Sequence, residues 1–357
     1  MSKDIIEFFD LPQCITADYY DSITAFTREA IWQLCYRDLT HHKIKIESET
    51  ELSGLCFNSQ TVFPPVYREM ADRVMQKGKQ NLLNTSGFTG KGVKVAVIDR
   101  PINKNHIEFS GRIEYIEVIP DHPYNDYPDF HGMTCAGFLS GSTCGVAPES
   151  ELVYFAIPNK TDDHEAYYEF QLEALKRIIE YNRNCNSPVR VVSLSAPFEK
   201  NQLTQRKELA EKLLSTGCVL IDATAFNLDF QGIDVFEKNG ETIYELNRWQ
   251  VENYERNKNR PEFIDYFNSL CFVPSTRRTA PGNDTDTEYI HWSRSVSESW
   301  TIPHISGAYA CCLQKEPTLQ FVEFIKRSKR CSRQGDYLLF DFKAVADERW
   351  IERHGGA

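Results

Sequence analysis

Three short stretches hold residue types able to do acid–base and nucleophilic chemistry. In GFTGKGVKVAVIDR (87–100), Asp99 closes an apolar run. A carboxylate at the C-terminal end of a parallel strand stands where open α/β sheets place their sites. Taken alone, it could equally cap the next turn. In FHGMTCAGFLSG (130–141), His131 is followed by Gly132, Ala136 and Gly137. Small residues at that spacing let a helix pack closely on a sheet, and a helix N-terminus keeps a base neutral by disfavouring imidazolium. Alone, His131 also fits a satisfied structural histidine. In SVSESWTIPHISGAYACCL (295–313), Ser299 precedes an apolar helix, with Pro303 expected in the first turn, where proline is tolerated. Gly307, Ala308 and Ala310 keep that helix slim. A serine at such a start has a free backbone N–H for an oxyanion, or is a plain N-cap. Together the three groups form a set for acyl transfer. Ser299 Oγ would attack a carbonyl, His131 would take and pass on the proton, and Asp99 would orient the imidazole.

The order Asp, His, Ser with these flanks resembles the subtilisin-like serine peptidases. VAVID (95–99) is similar to the family's apolar strand ending in Asp. His131-Gly132-Met133-Thr134-Cys135-Ala136-Gly137 is similar to the family's His-Gly-Thr-x-x-Ala-Gly. Ser297-Glu298-Ser299-Trp300-Thr301-Ile302-Pro303-His304 keeps the serine and the Pro-His of Gly-Thr-Ser-Met-Ala-x-Pro-His. GVAPESELVYFAI (145–157), VVSLS (191–195) and GDYLLFDFKAV (335–345) resemble weaker family segments in the right order. The resemblance covers about 80–346. It implies a serine endopeptidase acting on a peptide or protein through an acyl-enzyme. It also implies an oxyanion donor at Asn227, which ends CVLIDATAFN where the family has Ala-Gly-Asn, and a substrate-lining edge at Ser195, Ala196 and Pro197.

Departures from the family pattern bear on specificity. Pro197 removes a backbone donor from that edge and Phe198 can fill space, so narrow specificity is expected. Glu298 puts a carboxylate beside the nucleophile, and Arg100 is expected to answer it. No cofactor and no metal is expected, although the resemblance allows calcium at the acidic loop PDHPYNDYPDF (120–130). These substitutions also motivate an alternative, a catalytically silent subtilisin-like interaction or regulatory protein.

The elements that must position these residues follow from patterning. VKVAVI (93–98), RIEYIEVI (112–119), ELVYFAI (151–157), VRVVSL (189–194) and CVLIDA (218–223) read as strands. Tyr168, Leu172, Leu175 and Ile179 mark one intervening helix face, and Leu203, Ala210, Leu213 and Leu214 another, stopped by Gly217. Alternating strands and helices imply a parallel sheet covered on both faces. The fold class expected is α/β, a parallel-sheet, subtilisin-like three-layer fold with a mainly helical N-terminal extension. Residues 1–62 form that extension, prodomain-like or regulatory, with a helix expected over about 18–39 from Ile23, Phe26, Ala30 and Leu34. After Pro64 and Pro65 a short helix runs to about Gly78. The peptidase domain takes 63–357, with an insertion at about 228–268.

Composition narrows the partners. The 357 residues carry 40 Lys and Arg against 51 Asp and Glu, a net charge of -11. Such a chain is a poor polyanion binder, so neither nucleic acid nor membrane is expected as a partner. No apolar run approaches the ~20 residues that span a bilayer, and the acidic start MSKDIIEFFDLPQC lacks the features of a signal peptide. The 11 cysteines are odd in number with no Cys-x-x-Cys, so most are read as reduced core thiols in a cytoplasmic protein.

Overall fold

A computed structural model describes residues 11–17, 19, 33–80, 87–123, 125–158, 164–226, 229–330, 333–334 and 337–346. The strands are β1 (Cys14–Thr16), β2 (Lys43–Lys45), β3 (Phe57–Asn58), β4 (Lys94–Asp99), β5 (Ile113–Glu117), β6 (Glu151–Ala156), β7 (Val191–Leu194), β8 (Val219–Asp222), β9 (Phe230–Lys238), β10 (Glu241–Glu245), β11 (Cys271–Pro274), β12 (Thr279–Pro281), β13 (Tyr289–His291), β14 (Arg333–Gln334) and β15 (Tyr337–Leu339).

The central sheet has five parallel strands in the order β5-β6-β4-β7-β8. These are the five runs expected from sequence. Their side chains alternate between faces because the strand period is two. Val95 and Val97 face one core, shared with the helices Phe130–Ser140 and Glu298–Lys315. Ala96 and Ile98 face the other, shared with the helices His164–Asn184 and Leu203–Ser215. The result is a three-layer α/β fold. By the same alternation Asp99, two residues beyond Val97, falls on the face of the first helix pair. Gly217 ends Leu203–Ser215 with φ of 77°, which a glycine adopts without strain. Leu203 and Leu214 are exposed rather than core.

A second sheet, β10-β9-β11-β15-β14, stands beyond the first. Residues 230–269, most of the stretch expected to be an insertion, hold its β9–β10 hairpin and the helices Arg248–Asn257 and Pro261–Ser269. Ile233, Leu270, Phe272 and Leu339 bury a small core of their own.

The described part of the N-terminal extension holds β1, β2, β3 and the helix Glu49–Ser53. Of the helix expected over 18–39, residues 18 and 20–32 lie outside the described residues, and 33–36 form a turn. The reason is pairing with later chain. The Leu34 N–H donates to Cys56 O at 3.0 Å and the Leu39 N–H to Val62 O at 2.8 Å, so neither closes a helical turn. The helix expected after Pro64 runs Pro65–Gly78. β3 pairs antiparallel with β13, which pairs with β12, so this section is built into a three-stranded sheet with the hairpin of 279–291.

Candidate active site

Asp99 is the last residue of β4, and its side chain is 3% exposed. A buried carboxylate is costly unless paired. His131 Nδ1 lies 2.9 Å from both carboxylate oxygens, and the Arg100 backbone N–H donates to Oδ1 at 2.8 Å. Burial acts to raise the Asp99 carboxyl, but the facing imidazole and the Arg100 charge outweigh it and hold the group below its ordinary value. It therefore stays a carboxylate.

His131 is the second residue of Phe130–Ser140. Asp129 caps this helix by accepting the His131 N–H at 2.8 Å. The helix sits close to the sheet because residue 132 is glycine: a Cβ there would overlap the Arg100 carbonyl and the Tyr154 hydroxyl. A Cβ at Gly137 would likewise meet the Pro281 ring of β12. The small residues noted in sequence thus set both contacts of the helix.

Ser299 is the second residue of Glu298–Lys315, so it lies inside the helix rather than before it, and Pro303 falls in the second turn. Proline has no N–H, so the bond that residue 303 would give to the Ser299 carbonyl is missing. Two other donors take it: Ser195 Oγ at 3.0 Å and Cys135 Sγ at 3.5 Å. In return the Ser299 hydroxyl donates to the Ser195 carbonyl at 3.3 Å. The Ser299 N–H stays in the first turn, where helices leave donors for other partners.

Ser195 follows β7, at the same end of the sheet as Asp99. It is buried, Ala196 is half-buried and Pro197 is exposed. Of the three residues expected to line a substrate edge, Ser195 is bound to the backbone of Ser299. Asn227 lies outside the described residues. The short helix Ala223–Phe226 before it is tied back by Thr224 Oγ1, which accepts the Phe198 N–H at 2.9 Å.

Arg100 does not answer Glu298. Its Nη1 lies 3.3 Å from Asp129 Oδ1, and Glu298 is exposed. The guanidinium is drawn to the cap of the His131 helix because two carboxylates, Asp129 and Asp99, stand there. In the acidic loop, Asp129 is thereby committed, and Asn125 is bonded to Glu117 and the Ile119 carbonyl. Among the described residues, the group of three acidic, His or Cys donors within coordinating reach is Asp99, His131 and Cys135, not the side chains of 120–130. The Cys135 thiol is pushed up by burial and by Asp99, so it is a thiol and not a thiolate ligand.

Sequence reasoning missed three features: the Ser195 hydroxyl on the Ser299 carbonyl, the Asp129 cap, and a tryptophan pair in which Trp300 packs beside His131 and Trp292 packs on Trp300. The first had a signal, a proline four residues after Ser299.

Residues 90–216 match the subtilase family. Proteinase R of Parengyodontium album is 25% identical over 260 residues, covering 72% of this chain and 62% of that protein. Subtilisin BL of Lederbergia lenta is 26% identical over 245 residues, covering 66% of this chain and 82% of that protein. The solved structure of fervidolysin from Fervidobacterium pennivorans, described as a keratinolytic enzyme related to subtilisin, superposes with a TM-score of 0.51 at 14% identity, over 76% of this chain and 45% of that one. The chain thus spans about three fifths of the length of Proteinase R and less than half of fervidolysin.

Proposed function

We propose that this chain is a subtilisin-like serine endopeptidase that cleaves peptide bonds through an acyl-enzyme. The observation that carries the reading is the 2.9 Å bond from His131 Nδ1 to the buried Asp99, beside a serine in the first turn of an adjoining helix. Asp99 fixes the imidazole with its proton on Nδ1, leaving Nε2 to act as base. For attack the Ser299 hydroxyl must leave the Ser195 carbonyl, to which it donates at 3.3 Å, for that nitrogen. Catalytic hydrogen bonds often tighten only once substrate is bound. Ser299 Oγ then attacks the scissile carbonyl while His131 takes its proton. The Ser299 N–H, with Asn227 as second donor, holds the oxyanion. His131 passes the proton to the leaving amine, and water repeats the sequence on the ester.

Ser195, Ala196 and Pro197 would receive the substrate strand. With Pro197 unable to donate, narrow specificity for a peptide or protein is part of the proposal. Residues 1–62 are taken as a section added to a peptidase domain over 63–357. Calcium enters no step. A cytoplasmic setting is supported by the ten described cysteines, all free thiols. Among the described residues no helix is long and apolar enough to cross a membrane.

A second reading, a silent interaction module, draws on the Ser299 hydroxyl being bonded to Ser195 rather than to His131. Labelling with a fluorophosphonate probe separates the two. Wild type should label, and Ser299→Ala and His131→Ala should not. An unlabelled wild type, alongside a labelled control hydrolase, would favour the silent module.

A further inference from the structure

Aromatic rings surround His131 that the acid–base scheme does not use. The Trp300 ring centroid is 5.3 Å from the imidazole. Trp292 packs at a tilt, 5.0 Å from Trp300 and 5.8 Å from Phe130, the residue before His131. Both tryptophans are buried. The indole N–H of Trp292 donates to Thr134 Oγ1 at 3.0 Å, and Thr134 lies fully buried one turn after His131 on the same helix. At its other end Trp292 is fixed by its backbone, which donates to the Arg278 carbonyl at 2.8 Å. It also directly follows β13, the strand gripped by Phe57 and Asn58 of the N-terminal section. One side chain therefore touches the helix that carries the base and the first turn of the helix that carries the nucleophile. It is anchored to a hairpin outside both.

We propose that Trp292 is a positioning residue: its indole, pinned by Thr134, is a wedge that sets the spacing between the His131 helix and the Ser299 helix. This rests on the peptidase reading of the same site. Base and nucleophile act within a few tenths of an ångström, and misplacement by about 1 Å costs roughly a hundredfold in rate. Loss of the pin would let the His131 helix shift without removing any reacting atom.

The test uses the full chain. Trp292→Phe keeps an aromatic ring and deletes the N–H, and Thr134→Val keeps the volume and deletes the acceptor. Each should lower kcat about tenfold with KM within about twofold, and the double variant should be no worse than either single, because both remove one bond. Unchanged kcat, a loss confined to KM, or losses that multiply would each overturn the wedge. A second readout does not need turnover. In a Ser299→Ala background, the low-field proton resonance of the His131–Asp99 bond should shift or broaden on Trp292→Phe, and an unmoved resonance would overturn the proposal. Failure of the peptidase reading shows separately, as a wild type that neither labels nor cleaves, and the resonance then decides alone.

Discussion

Ser299 is held from both ends by one neighbour. Its hydroxyl donates to the Ser195 carbonyl and its carbonyl accepts from the Ser195 hydroxyl, because Pro303 cannot supply the helical N–H. Ser195→Ala should therefore be felt in stability and in rate together. It leaves the Ser299 carbonyl to the weak Cys135 thiol donor, a loss of about 1 kcal/mol. It also loosens the backbone of the nucleophile, which should lower kcat several-fold, to an extent of about tenfold. Urea unfolding and peptide kinetics on the same preparation check both parts. An unchanged midpoint with unchanged kcat would mean that the two serines are in contact without consequence. Trp300 shows the complementary point. Trp300, which stands where the resemblance has methionine, packs its ring 5.3 Å from the His131 imidazole, so this departure adds a contact beside His131.

The elements were legible to very different degrees, for physical reasons. The central strands stood out because a sheet covered on both faces needs near-continuous apolar runs, such as Val95 to Ile98. The two helices of the site stood out through their small residues. The N-terminal section did not, because its strands are two or three residues long and its backbone pairs across large separations, as from Leu34 to Cys56 and from Asn58 to Ile290. No local period records such pairings. Arg100 was misassigned for a similar reason: its partner Asp129 is 29 positions away and reached only through the fold. Gly132 gives a prediction at this scale. Gly132→Ala drives a methyl into the Arg100 backbone and Tyr154 hydroxyl. Because the Arg100 carbonyl belongs to the chain just past β4, the helix and not the sheet must yield, at a cost of about 1–3 kcal/mol. Fluorophosphonate labelling should slow more than the thermal midpoint falls, since the displaced residue next to it is His131. Wild-type labelling and melting would mean the helix has slack at its start.

Over the whole molecule, the buried imidazoles set how the fold responds to acid. His291 is buried between the N-terminal section and the hairpin, with Nε2 donating to the Ser53 carbonyl at 3.1 Å and Nδ1 3.0 Å from Thr279 Oγ1. His304 is buried in the helix Glu298–Lys315, with Nδ1 donating to the Trp300 carbonyl at 2.5 Å. Burial lowers each to about 3, with the nearby Arg278 charge acting in the same direction. In the unfolded chain a histidine titrates near pH 6.5. Between those values the unfolded state binds more protons than the native one, so stability rises with pH and is lost as pH falls below about 6.5. Each imidazole contributes a slope of up to roughly 1.4 kcal/mol per pH unit, and the pair about twice that. His106, lowered mainly by burial, adds in the same sense. Asp99 and Glu108, both held below their ordinary values, add a further loss only below the usual carboxylate range of about pH 4. Glu288, raised by burial, opposes them, since its contribution is present at low pH and lost as pH rises. A domain with about 5–15 kcal/mol to lose should then be flat above pH 7 and should unfold within a few units below pH 6.5, before Asp99 is protonated. Urea midpoints at about pH 7.5, 6.5, 5.5 and 4.5 test this, with unchanged m-values required to read them as stability. Midpoints that hold steady from pH 6.5 to 4.5 would mean that His291 and His304 reach water in solution, and that the N-terminal section does not close over β13.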